Sequence, residues 1–309
     1  MKFLLISKEG EGLFIAYRLQ KEGHDVKTWI KTKHAQSLYD GLLDKVEDYK
    51  TALEADRIVI FDQVGGGNIA EQLKKDYIVI GGSQFADSLE LNYKFARKIL
   101  KQHGIKYSRD LGYDNIILIS SWFNGNEFIL PPIQSYIYRK ELAGGLGSMT
   151  TCQGIQQTAL DFDSDIFSEG IGKLLPLLKS LNYKGAIGLK YQFEEDSLMP
   201  FEFVSHWHYD TMQGVLASLD GNLGEILGNF NDSGVLSLTE SVSSIRVTIP
   251  PYPYLLTKRD ININGFETNT PVIFPKSLAK NLFFKDIKVQ DKKMVSAGDG
   301  GQICTLVTA

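Results

Sequence analysis

The sequence predicts an α/β chain, α+β overall, and three observations carry that expectation. In the first 83 residues, short apolar runs without alternation are separated by helical patterns, as in a parallel sheet covered on both faces. In the middle of the chain, an Asn124-Gly125 turn and two closely spaced strands, 186–193 and 199–205, predict antiparallel pairing. From Ser244 onward the chain is rich in β-formers and punctuated by Pro and Gly.

Each element follows from its residues. Segment 2–7 (KFLLIS) is a strand, and 13–22 repeats apolar residues at helical spacing. Segments 26–30, 57–61 (RIVIF) and 77–80 are further strands, with a helix over 69–75. Residues 1–83 therefore read as a Rossmann-like domain. A helix over 89–103 places Leu89, Phe95, Ala96, Ile99 and Leu100 on or near one face, with Asp87 or Ser88 as its cap and Gly104 as its stop. Strands 116–122, 128–130 and 135–138 follow, then a glycine-rich loop at 143–148. A helix over 165–181 carries Ile166, Phe167, Ile171, Leu174, Leu175 and Leu178, and shorter helical segments lie at 213–218 and 223–229. The expected division is 1–83, a linker helix within 84–112, a second domain over 113–243 and a small β domain over 244–309.

The bulk composition of the 309 residues, 43% hydrophobic and 23% charged, is that of an ordinary globular protein. A net charge of −4 gives no general attraction to nucleic acid or anionic membrane. No apolar run reaches membrane-spanning length, and residues 1–7 are too short for a signal peptide. Two cysteines, Cys152 and Cys304, do not suggest a disulfide framework. A cytoplasmic protein is expected.

Ligands of open α/β sheets sit beyond the carboxyl ends of the strands. Here those ends carry Glu9, Gly10 and Gly12, then Gly65, Gly66, Gly67 and Asn68, then Gly81, Gly82 and Ser83. With Gly144, Gly145, Gly147 and Ser148, these loops are the candidate ligand-binding residues, their backbone N–H groups being suited to a small anionic ligand. The alternative is that the glycines only make tight turns. A nicotinamide cofactor is not expected: Ile15 stands where the third glycine of the dinucleotide fingerprint belongs, and Lys31-Thr32-Lys33 replaces the acidic ribose partner.

Glu202 lies between Phe201 and Phe203, and a carboxylate in an apolar strand needs a compensating cation or hydrogen bonds. A metal ion would serve, as would Lys190 or Tyr191 across the hairpin. His206, His208 and Asp210 follow at intervals of two, so in an extended strand they would share a face with Glu202. Two His and two carboxylates suit zinc or another divalent ion. Trp207 and Tyr209 would face the core. Tyr136, Tyr138 and Arg139 read either as a platform for an anionic ring-bearing ligand or as a surface strand. Cys152 reads as a buried structural thiol.

Several stretches, in order, resemble phosphoribosylamine–glycine ligase, a member of the ATP-grasp superfamily. GGSQFADSLELNYKFARKILKQH (81–103) is similar to that family's linker helix. Segments 127–132 and 142–149 resemble its E-E-F strand, Pro-Pro and glycine-rich substrate loop, 183–213 its metal-binding strand pair, and 296–306 the end of its C-terminal domain. The resemblance implies a Rossmann-like N-terminal domain, an ATP-grasp large lobe and a reaction needing ATP and Mg²⁺. The family's equipment is much reduced here. Segment 108–121 crosses directly where the enzyme inserts its small ATP-binding lobe. Tyr93 stands at the position of a nucleotide-contacting lysine, although Lys94 is adjacent. The metal motif Glu-x-Asn-x-Arg reads Glu202-Phe203-Val204-Ser205-His206, and the Pro-Asn-Thr centre of the substrate loop is replaced by Gly144-Gly145-Leu146.

The expected protein is therefore a shortened, catalytically degenerate relative that binds a small anionic ligand, phosphoribosyl or nucleotide-like, or a partner protein in the inter-domain cleft. No catalytic residue is assigned except Glu202 should the protein be active, and ATP and Mg²⁺ are implied only by the resemblance. Two alternatives are an active ligase with altered chemistry or completed by a second chain, and a purely structural or interaction protein. Bulky Tyr93, Leu146, His206 and Trp207 favour the last.

Overall fold

The computed structural model describes residues 1–108, 116–194, 197–238, 241–249 and 268–308. Strands β1 (Lys2–Ser7), β2 (Asp25–Ile30), β3 (Asp44–Lys45), β4 (Arg57–Phe61) and β5 (Val79–Ile80) form a parallel sheet in the order β3-β2-β1-β4-β5. Helices α1 (Leu13–Lys21) and α2 (Gly67–Leu73) supply two of the crossovers. The buried runs of β1 and β4 separate two apolar layers, with Phe3 and Leu5 on one side and Leu4 and Ile6 on the other. This is the alternation expected of a strand covered on both faces.

The predicted linker helix is broken into α3 (Gln84–Leu91) and α4 (Tyr93–Gln102). Ser83 caps α3 through Ala86 N, and extended Asn92 caps α4 through Phe95 N. Polar caps at both starts supply what a continuous helix would not need. Asp87, read as a cap candidate for this helix, bonds elsewhere.

An eight-stranded sheet forms the other half, in the order β10-β9-β6-β7-β8-β11-β15-β12. Its central part is β6 (Ile116–Asn124), β7 (Phe128–Leu142) and β8 (Leu146–Ala159). Asn124 Oδ1 accepts from Asn126 N and Glu127 N at 2.9 Å each, closing the predicted hairpin. Segments 128–130 and 135–138 are one strand, β7, and the glycine-rich loop is its turn into β8. The 165–181 helix is interrupted: α5 (Asp165–Ser168) and α6 (Leu175–Ser180) flank a 3₁₀ turn, Ile171–Leu174. Gly170 and Pro176 mark the break.

The expected strand pair is present as β9 (Lys184–Glu194) and β10 (Ser197–Val204), antiparallel, with Glu202 opposite Lys190. Helices α7 (Tyr209–Ser218) and α8 (Leu223–Gly228) follow. Beyond them β11 (Val242–Thr248), β12 (Leu282–Phe284) and β15 (Gln302–Thr308) extend the large sheet, while β13 (Ile287–Gln290) and β14 (Lys293–Ser296) pair with each other. The strands of 244–309 thus continue the sheet of 113–243.

One face of the large sheet packs on α3, α4 and the 166–178 region. The other packs on α7, and one apolar cluster runs from α1 through α7 and α8 to β15. Phe14 lies edge-on to both Tyr209 and Phe283, at 5.3 and 6.0 Å. That cluster welds the N-terminal domain to the sheet. Among the described residues no helix is long and apolar enough to cross a membrane.

Candidate functional site

The cleft expected to hold a ligand lies between the loops of the parallel sheet and the start of α7. On the first side, Asp62 ends β4 and is buried. Its Oδ2 accepts from Ser7 Oγ at 2.7 Å and from Gly12 N, at the start of α1, at 2.6 Å. A side chain at residue 12 would put Cβ 2.4 Å from Asp62 Cβ, so glycine is required for this approach. Burial pushes the Asp62 carboxyl up to about 7, against the hydrogen bonds from Ser7 and Gly12. Glu9 N donates to Gln63 Oε1 at 2.8 Å, which ties the two loops together.

The Gly65, Gly66 and Gly67 loop is filled in the same way. Asp87 Oδ1 accepts from Gly65 N at 2.7 Å, and its Oδ2 accepts from Gly67 N at 2.8 Å. A carboxylate therefore occupies the start of α2, where a phosphate would be favoured. Asn68 Oδ1 accepts from Gln84 Nε2. Gly81 N donates to Lys184 O, and Ser83 caps α3. Gly82 packs against Phe61 and Ala70. Gly144 and Gly145 lie in the β7–β8 turn and Gly147 and Ser148 at the start of β8, where Ser148 N reaches Glu141 Oε2 at 3.4 Å. The sequence therefore identified the loops, but tight packing around internal carboxylates accounts for Gly12 and Gly67.

On the second side the four candidate metal ligands part company. The strand ends at Val204 and His208 precedes α7, so the shared extended face does not exist. Glu202 pairs with Lys190 Nζ at 3.2 Å, across the hairpin as one sequence reading had it. His206 Nδ1 meets Glu90 Oε2 at 3.0 Å, and that carboxylate also accepts from Ser205 N and Oγ. Burial works against charge on both partners, but their mutual attraction outweighs it: the His206 imidazole is raised above its ordinary value and the Glu90 carboxyl lowered. Asp210, with no exposed surface, takes a two-pronged ion pair from Arg246: Nε at 2.9 Å and Nη2 at 2.6 Å. Burial would raise the Asp210 carboxyl, and Arg246 overrides it to hold the group low. His208 is pushed down to about 4 by burial. Among the described residues no group of three or more His, Cys, Asp and Glu is arranged to hold a metal. The shared strand face on which the metal expectation was argued is absent.

Sequence reasoning missed Glu90 and Arg246 as partners. Glu90 is an ordinary surface-type residue on an amphipathic helix, and Arg246 lies 36 positions from Asp210. Asp62 had a usable signal, being an acid directly after the apolar run Ile58–Phe61. Trp207 and Tyr209 are core residues as expected. Tyr136 and Tyr138 stand exposed on β7, while Arg139 Nε donates to Thr150 O and Arg139 O accepts from Thr150 Oγ1. Cys152 is buried.

Behind the second wall there is little room. A cavity lined by Ser120, Trp122, His206, Trp207, His208 and Thr211, among others, measures about 20 Å³. That is the space of one water.

The sequence matches no protein-family model and no curated protein significantly. Solved structures do match. Phosphoribosylamine–glycine ligase from Thermotoga maritima superposes with a TM-score of 0.69 at 13% identity, over 100% of this chain and 92% of that one. The mixed α/β fold, a parallel sheet beside an antiparallel one, matches that of ATP-grasp neighbours. Biotin carboxylase from Campylobacter jejuni, in complex with β,γ-ATP, gives 0.63 at 11% identity over 99% of this chain and 87% of that one. N5-carboxyaminoimidazole synthetase from Staphylococcus aureus gives 0.59 at 9% identity, over 99% and 93%. At these identities the likeness concerns fold, and the chemistry rests on the site. Here the residues do not fit the metal or ATP that the fold suggests. Glu202 is neutralised by Lys190, and the loop amides hold carboxylates.

Proposed function

We propose that this chain is a catalytically silent protein on the carboxylate–amine ligase side of the ATP-grasp fold, similar in design to phosphoribosylamine–glycine ligase, and that it acts by binding. The observation that carries this reading is that groups suited to receive an anion or a cation are already partnered within the chain. Asp62 and Asp87 occupy the backbone donors of two βα loops, and Lys190 occupies the carboxylate of Glu202. An ordered phosphate or magnesium would have to displace each of these contacts. A reducing, cytoplasmic setting belongs to the same proposal, supported by two buried thiols that are not joined.

Calorimetric titration with ATP–Mg²⁺, ribose 5-phosphate and glycine, alongside a phosphate-release assay, tests this. The expected result is no saturable heat and no release of phosphate. Micromolar ATP binding with phosphate release that disappears in Glu202→Ala would overturn it, in favour of a ligase with altered chemistry.

A further inference from the structure

A roomier pocket lies away from the cleft. A pocket of about 480 Å³ is lined by Ile105, Ile166, Tyr191, Leu198, Met199 and Pro200 over its apolar part. That volume falls within the range of small-molecule sites, about 300–1,000 Å³. Tyr191 neighbours Lys190 on β9, so the two point to opposite faces of the sheet. The pocket therefore opens on the face opposite Glu202. Its wall has a built-in clearance. A side chain at Gly170 would place Cβ 2.1 Å from Tyr191 Oη, which itself donates to Ile166 O at 3.2 Å.

The rim carries two carboxylates, Asp165 and Glu169, and two ammonium groups, Lys106 and Lys173. Lys173 is engaged: it pairs with Glu169 and reaches Gly104 O at 3.4 Å. One exposed charge of each sign, Asp165 and Lys106, remains available to a ligand. The floor disfavours a phosphate or sugar, whose polar atoms would be left without partners. The balanced rim favours no net charge.

We infer that this pocket binds a zwitterionic amino acid with a large apolar side chain. The side chain would lie on Tyr191, Leu198 and Met199, the ammonium on Asp165 and the carboxylate on Lys106. The inference goes beyond the proposed function and stands or falls separately from it, because the cleft takes no part.

The test uses the full chain with its methionine methyl groups isotope-labelled. The sequence has five methionines, and Met199→Leu assigns the signal at the pocket. Titration with L-tryptophan or L-phenylalanine should move the Met199 signal saturably, while ATP–Mg²⁺ should not. Tryptamine and indole-3-propionate each lack one charge and should bind about tenfold more weakly than L-tryptophan. Asp165→Asn, an exposed change, should weaken L-tryptophan by a similar factor, and Met199→Trp should abolish binding by filling the floor. No saturable shift with either amino acid at millimolar concentration would overturn the proposal. So would equal binding of tryptamine, or affinity unchanged in Asp165→Asn. ATP moving signals elsewhere in the chain would count against the proposed function and leave this pocket untouched.

Discussion

The two walls of the cleft solve one electrostatic problem in opposite ways. On the parallel-sheet side the exposed chemistry is donors, backbone N–H groups at the starts of α1 and α2, and the chain supplies acceptors, Asp62 and Asp87. On the antiparallel side the groups needing partners are acceptors, Glu90, Glu202 and Asp210, and the chain supplies His206, Lys190 and Arg246. Both walls thereby become self-sufficient. The difference lies in depth. Asp210 and Arg246 are almost wholly withdrawn from water, whereas the Glu202 side chain is 41% exposed. The first pair belongs to the core, and the second is a screened contact at a surface.

That contrast can be broken most forcefully at Arg246. Arg246→Met leaves Asp210 charged, buried and unpaired, and should cost about 3–5 kcal/mol. The midpoint of urea unfolding reads this directly. Adding Asp210→Asn should return part of the loss, and no recovery would mean that Arg246 acts through packing alone.

Glu90→Gln tests the second buried contact, with an expected loss of about 2 kcal/mol where both partners are charged. The pH dependence has a definite sign. His206 is raised above its ordinary 6.5, so its contribution is complete below that pH and fades as pH rises through the folded value. Glu90 is lowered below its ordinary 4.5, so its contribution is complete above that pH and fades as pH falls through the folded value. Wild type and variant should therefore differ most between 4.5 and 6.5 and converge on either side. A difference independent of pH would assign the effect to shape.

Asp87→Ala removes the acceptor of two backbone N–H groups and should cost about 1–2 kcal/mol. Asp87→Asn, which keeps one oxygen, should recover about half of that by thermal unfolding. Smallest is Lys190→Ala, expected to change stability by about 0–1 kcal/mol, since the pair is partly exposed. Its value is diagnostic. Broadening of nearby proton signals by Mn²⁺ in this variant but not in wild type would show the ammonium standing in a cation's place.

How much of this was legible in the residues depends on distance along the chain. The parallel strands, the Asn-Gly hairpin and the β9–β10 pair were readable because each rests on local pattern. The breaks at Asn92 and Gly170 were not, although their residues are unremarkable for a break. Asn92 competes with the helix by capping the next one, and Gly170 is held by Tyr191 from another strand. The shared face expected for Glu202, His206, His208 and Asp210 is absent for a related reason. A spacing of two means a shared face only while the strand lasts, and it ends at Val204.

The sequence by itself determined the fold class, the positions of the glycine loops and the strand pair within residues 183–213, because these are carried by periodicity and short motifs. Only the tertiary structure decided what those loops and carboxylates meet. Asp62 reaches Gly12 across 50 positions, Glu90 reaches His206 across 116, and Arg246 reaches Asp210 across 36. A charge's role is set by the nearest opposite charge or dipole in space, and no local pattern reports that distance.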